Sequence, residues 1–371
     1  MDPATDVPPY VARPLQLRPF QALMLAPRQV GDPSSARALA RPYRDVADRL
    51  TDWIARGLAL EDVDDALYLH EYTSGGLTVR GLVGALDVSR RAERSAERAV
   101  WPHEEVHPEQ AGELADRMLQ MRLNPAPILL VHRGTQELRD LVTAVAAQEP
   151  GWRYLDRSGQ RQRVWAVRDP DTLSRIALQL ADTRALLADG HHRYAAYLRL
   201  QDEHRGTPWD SGLAMLVDQL DTPLFIGAIH RVLRGADLGS LHQAAAEAGA
   251  AVSDLEPPTA LESLDPDHLV MTDGAHWLRV RPPGSRDTAV VAWLHQQLLP
   301  RLDGRVPELA YHHSVEEAVT RASRRSPAVL LPSPAFRQVQ DLVESGGLLP
   351  EKATSFQPKP SLGALMRPVR D

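Results

Sequence analysis

No cysteine occurs anywhere in the 371 residues. Disulfides, thiolate zinc sites, iron–sulfur clusters and cysteine nucleophiles are thereby excluded. No apolar run approaches the length of a membrane span. The opening MDPATDVPPYVARP lacks the basic-then-apolar order of a signal peptide, so a cytoplasmic location is expected. A basic surplus is missing too. The 42 Lys and Arg stand against 49 Asp and Glu, a net charge of −7, which disfavours general binding to a nucleic-acid backbone. A small-molecule substrate is the expected partner, and the sequence leaves the oligomeric state open. Lysine is nearly absent: Lys352 and Lys359 are the two among the 42 basic residues, the other 40 being Arg. GC-rich coding explains an Arg excess in general. It does not explain why both lysines fall in EKATSFQPKP, and a flexible ammonium differs from a guanidinium in suiting a phosphate as a point charge.

What is present is an ordinary soluble composition, 43% hydrophobic and 25% charged, at a length that suggests about two domains. Residues 1–16 carry prolines without periodicity and are expected to be extended and flexible. Residues 17–235 read as a core domain, and 236–371 as a C-terminal α/β subdomain whose final Lys-bearing segment returns to the site. Strands and helices alternate, with hairpins at Ser74-Gly75-Gly76 and Asp273-Gly274. The expected fold class is mixed α/β. LFIGAIH reads as one strand, 34–57 as mostly helix, and 288–301 as a helix. DLEPPTALESLDPD reads as a surface connection.

VWPHEEVHPEQ contains HExxH, a zinc-protease pattern. That chemistry needs both imidazoles on one helical face. Pro102 precedes the first histidine, and Pro108 pushes His107 away from the α region. The pattern therefore predicts a loop leading into a helix with Leu114, Met118 and Met121 on its apolar stripe.

TRALLADGHHRYAAYLRLQ is the strongest local signal. A short apolar strand, a turn at Asp189-Gly190 and a helix with Tyr194, Tyr197 and Leu198 facing the core deliver Asp189, His191, His192 and Arg193 to a helix N-terminus. Free amides and the positive end of the helix dipole make such a corner attractive to anions. Arg193 adds a fork for phosphate or carboxylate, and the histidines add donors and potential charge near neutral pH. Two jobs are open to Asp189: capping the helix, or holding Mg2+ that rides on a phosphate.

ADGHHRYAA, His103-Glu104, Asp116-Arg117, His230-Arg231 and the closing LLPEKATSFQPKPSLGAL, in that order, resemble the bacterial and archaeal "domain of unknown function 1015" family, from Leu17 to the C-terminus. That family is itself similar to the ParB/sulfiredoxin-like fold and to free L-serine kinases that use a nucleotide or pyrophosphate. The resemblance implies that Gly190, His191, His192 and Arg193 grip donor phosphates (ATP, ADP or pyrophosphate). It also implies further contacts from His230, Arg231, Lys352, Thr354, Ser355 and Lys359. Glu104 would orient or deprotonate the acceptor hydroxyl, with His103 and His192 as further catalytic candidates. Two departures stand out. The family's Pro-Pro-Tyr-Asp-Val block is matched here by APRQV, which puts Arg28 and Gln29 in place of Tyr and Asp, and Val106 replaces a Thr. Two functions are therefore expected to compete: a small-molecule phosphotransferase acting on a hydroxyl, or a non-catalytic phosphate or nucleotide sensor.

Overall fold

The computed structural model describes residues 6–34, 45–256, 264–284, 289–302 and 307–370. The chain divides into two compact units, Met1–Leu224 with Pro358–Asp371, and Phe225–Gln357. The architecture is mixed α/β in both. Among the described residues no helix is long and apolar enough to cross a membrane.

The first unit is organised by nine strands among the described residues. They are β1 (Leu17–Arg18), β2 (Leu67–Ser74), β3 (Leu77–Asp87), β4 (Val100–Trp101), β5 (Ile128–His132), β6 (Trp152–Leu155), β7 (Arg161–Val167), β8 (Ala185–Asp189) and β9 (Ser211–Asp218). Their order is β4-β8-β5-β9-β3-β2-β7-β6, with β1 also beside β3. β5 runs parallel to β9, and β8 parallel to β4, while the other pairs are antiparallel. Every residue of β5 is buried, as expected of a strand covered on both faces. The β2–β3 turn needs only Gly75 and Gly76, both at positive φ, and Ser74 already pairs with Leu77. That is the geometry of a two-residue hairpin.

The helices of this unit among the described residues include α1 (Val46–Ala55), α2 (Pro108–Met121), α3 (Gln136–Ala146), α4 (Pro170–Leu180) and α5 (His191–Glu203). α2 packs on α5, α5 lies over β5 and β9, and α3 contacts α4, β2 and β7. Of the 34–57 stretch, Val46–Ala55 is helical and Gly57 ends it at φ 67; residues 35–44 lie outside the described set. Residues 6–16 are extended and make hydrogen bonds to the rest of the unit. The Tyr194 hydroxyl donates to Pro9 O (2.9 Å) and accepts from the Val11 amide (3.0 Å), and Val11 and Leu15 are buried.

The second unit holds β10 (Phe225–Ala228), β11 (His230–Arg234), β12 (Ala251–Leu255), β13 (Leu269–Thr272), β14 (Trp277–Arg281), β15 (Glu308–His312), β16 (Ala328–Leu330) and β17 (Thr354–Gln357). β12-β14-β13-β16-β11-β15 form one sheet, and β10 pairs with β17 in another. LFIGAIH is therefore not one strand. It breaks at Ile229, and its two halves join different sheets. Helices α6 (Leu238–Glu247), α7 (Val315–Arg321) and α8 (Phe336–Glu344) accompany them. Val290–Arg301 is not one regular helix: one α turn, a π segment and a 3-10 turn follow in sequence. Residue 288 lies outside the described set, as do residues 257–263 of the expected surface connection.

Candidate functional site

β8 ends in a bulge. The register with β5 shifts between Leu187 and Asp189, a device that re-aims a side chain at a strand end. Gly190 follows at φ 92 and is itself the helix cap, with no side-chain cap bond. Asp189 therefore does not cap α5. A Cβ on Gly190 would lie 2.9–3.1 Å from the Arg193 guanidinium, so glycine serves the turn twice, through its backbone angle and through the room it leaves.

Asp189 instead binds two cations. Its Oδ2 accepts from Arg193 Nη2 at 2.6 Å, and its Oδ1 accepts from Lys359 Nζ. Burial alone would raise its pKa, but Arg193 and Lys359 outweigh burial and hold the carboxyl below its usual range. Arg193 also donates to Pro127 O, which anchors the guanidinium from the far side.

The HEEVH segment comes to this same turn. It is a loop, with His107 extended (φ −85, ψ 115) and Pro108 opening α2. Asp6 and Val106 exchange backbone bonds of 2.9 and 3.0 Å, pinning it from the N-terminal side. The two histidines of the pattern do not face one metal, because each meets a different residue of α5. His103 N–H donates to His191 Nε2 at 3.4 Å, and their rings lie 4.6 Å apart, edge to face. His107 N–H donates to His192 Nε2 at 3.2 Å, and their rings stack 6.0 Å apart. Glu104 Oε1 stands 3.6 Å from His103 Nε2.

His191 is neutral here. Burial, reinforced by His103, pushes its pKa down to about 3. With Nε2 accepting, the ring proton sits on Nδ1. The charge expected of this histidine near neutral pH is therefore absent, and Arg193 and Lys359 supply the positive potential of the turn. Among the described residues no three His, Asp or Glu side chains gather as a metal site. Both oxygens of Asp189 already hold cations, so Mg2+ there would have to displace one. The residues as arranged do not fit the ion.

The remaining predicted residues lie in the second unit. His230 Nδ1 accepts from the Leu331 amide (3.1 Å), and burial lowers its pKa to about 4. Arg231 is fully buried and donates to Ile229 O, Glu351 O and His295 Nε2. Its guanidinium and the Lys352 ammonium both face the Tyr311 ring, at 5.2 and 4.6 Å. Thr354 and Ser355 are buried on β17, opposite Ala228 and Gly227. Sequence reasoning missed Tyr72, whose hydroxyl donates to Pro358 O at 2.7 Å, and Asp156, which binds Ser361. No local pattern marks either.

The family described as "Protein of unknown function (DUF1015)" matches residues 14–304. None of the curated proteins matches. Among solved structures, a mutant free serine kinase in complex with ADP is 15% identical with a TM-score of 0.42, over 72% of this chain and 88% of that one. A conserved hypothetical protein from Pyrococcus furiosus is 15% identical with a TM-score of 0.41, over 71% and 90%. SbnI with a C-terminal truncation, from Staphylococcus aureus, is 12% identical with a TM-score of 0.43, over 72% and 83%. The match over residues 14–304 places this chain in the DUF1015 family.

Proposed function

We propose that the protein transfers a phosphoryl group from pyrophosphate or a nucleotide to the hydroxyl of serine or a similar small molecule. One observation carries the proposal: Arg193 and Lys359 bind the two oxygens of a single carboxylate at the N-terminus of α5. Two cations meet one carboxylate at Asp189, and the helix end adds roughly half a positive charge there. Asp189 thus holds both cations ready for an anion that takes its place. Phosphoryl transfer relies mainly on such positioning and charge neutralisation.

In this scheme the acceptor oxygen bonds to phosphorus as the bond from phosphorus to the donor's bridging oxygen breaks. The hydroxyl proton passes to Glu104, which its loop brings to the turn through the His103–His191 and His107–His192 contacts. Arg193 and Lys359 meet the charge that develops on the departing phosphate. Serine as acceptor rests on the family resemblance to free serine kinases. The scheme does not require His230, Arg231, Lys352, Thr354 or Ser355.

The experiment is incubation of the protein with L-serine and ATP, ADP or pyrophosphate, with and without Mg2+, followed by mass spectrometry for phosphoserine. Absence of product with every donor across a panel of small alcohols sinks the enzymatic proposal. A second function, phosphate sensing without turnover, is favoured by Arg28 and Gln29 at the APRQV block. Arg193→Ala then abolishes pyrophosphate binding while Glu104→Ala leaves it intact, and no condition yields product.

A further inference from the structure

Lys359 reaches Asp189 from a segment that is neither helix nor strand. An ammonium on four methylenes is a poor fixed charge unless its backbone is tied down. Here the backbone is tied at nearly every residue. Pro358 O accepts from the Tyr72 hydroxyl (2.7 Å) and Lys359 O from Gln160 Nε2 (3.2 Å). Ser361 Oγ donates to Asp156 Oδ2 (2.5 Å), Leu362 O accepts from the Gly31 amide (3.1 Å), and Gly363 O from the Leu25 amide (2.8 Å).

Asp156 is the hub of these ties. It is buried at 5% exposure. Its Oδ1 accepts from Ser158 N (2.9 Å), Ser158 Oγ (2.8 Å) and Gln160 N (2.9 Å), closing the β6–β7 turn. That turn presents Gln160 to the Lys359 carbonyl. Its Oδ2 takes Ser361 and, at 2.7 Å, Gln162 Nε2. An acceptor-only carboxylate fixes which end of the Gln162 amide faces it. Gln162 Oε1 must then accept from His70 Nε2 (2.7 Å), so His70 carries its proton there. Gln162 and His70 are both buried. The chain His70–Gln162–Asp156–Ser361 is thus satisfied end to end, and a satisfied buried network is rigid.

We infer that Asp156 is a positioning residue: through Ser361 and the 158–160 turn it holds the C-terminal strap so that Lys359 stays on Asp189. The inference rests on the proposed function for its catalytic meaning, but not for its geometry.

With only two lysines in the chain, the reactivity of each is read separately. The test is limited acetylation of the whole protein with an amine-selective reagent, followed by peptide mass spectrometry, with Lys352 as internal standard. In Asp156→Asn and in Ser361→Ala, Lys359 should acetylate about two- to fivefold faster, the range of an exposed ion pair. Lys352 should be unchanged, and Ser361→Thr should restore the native rate. The same variants should weaken inorganic pyrophosphate binding in calorimetry, and should add no further loss in a Lys359→Ala background. If Lys359 reactivity is unchanged in both variants, or rises equally with that of Lys352, the inference is overturned. If acetylation changes as expected while pyrophosphate does not bind the native protein, the positioning stands and the proposed function falls.

Discussion

Asp189 and Lys359 stand 170 positions apart in sequence and form a hydrogen-bonded ion pair. Arg193 completes the pair on the other carboxylate oxygen at 2.6 Å. If these cations bind donor phosphate, Lys359→Ala should weaken pyrophosphate binding about tenfold and Arg193→Ala more, since charged hydrogen bonds contribute roughly 1.5–3 kcal/mol each. Arg193→Lys should not rescue, because it cannot reach Pro127 O and Asp189 with one planar fork. Isothermal calorimetry of the three variants checks the order.

Glu104→Gln keeps the shape of the loop and removes the base. Turnover should fall by about 10²–10⁴, the usual weight of a general base. Donor affinity should hold within a factor of two or so, as the cations are untouched. Equal losses in turnover and affinity would place Glu104 in the binding of the donor.

Gly190→Ala places a side chain at φ 92 and drives its Cβ onto the Arg193 guanidinium. A loss of about 1–2 kcal/mol from the backbone alone is expected, with pyrophosphate affinity lost alongside. Thermal melts and calorimetry on one preparation separate the two effects.

Acid should destabilise this protein early. His70, His132, His230 and His295 have pKa values lowered to about 4 by burial, and His191 to about 3. Each is neutral when folded and gains a proton when unfolded below about 6.5. The unfolded chain therefore binds more protons between pH 6.5 and 4, so stability falls as pH drops through that window. Each group contributes up to about 1.4 kcal/mol per pH unit. A melting temperature that stays flat from pH 7 to 5 would contradict the buried neutral rings.

Tyr194→Phe removes the hydroxyl that serves both Pro9 O and the Val11 amide. Leaving the buried Val11 amide without its acceptor costs about 1–3 kcal/mol. The variant should melt lower and be cut by protease within residues 6–16 faster than the native chain.

Features fixed by neighbours in sequence were legible before the structure. Pro108 at the first helical position made HEEVH a loop, and the apolar run ALLA followed by Asp-Gly marked the turn into α5. What stayed hidden depends on partners far along the chain. Nothing local to Ile229 shows that the strands on either side of it join different sheets, because each follows its own distant partner. Whether Asp189 caps or pairs was undecidable from spacing, since the answer lies with Lys359. His191 looked chargeable until its burial against His103 was seen. Asp156 and Ser361 are an ordinary acid and an ordinary serine until they are seen 2.5 Å apart.

The first unit is not contiguous in sequence: Met1–Leu224 is completed by Pro358–Asp371. A ribosome building this chain must therefore finish all of Phe225–Gln357 before the partner of Asp189 is made. Until then the β8–α5 corner exists without its ammonium. A product stopped between Arg193 and Lys359 retains the histidines, the arginine and the glutamate yet lacks the second cation, so order of synthesis makes Lys359 the last part of the corner to arrive.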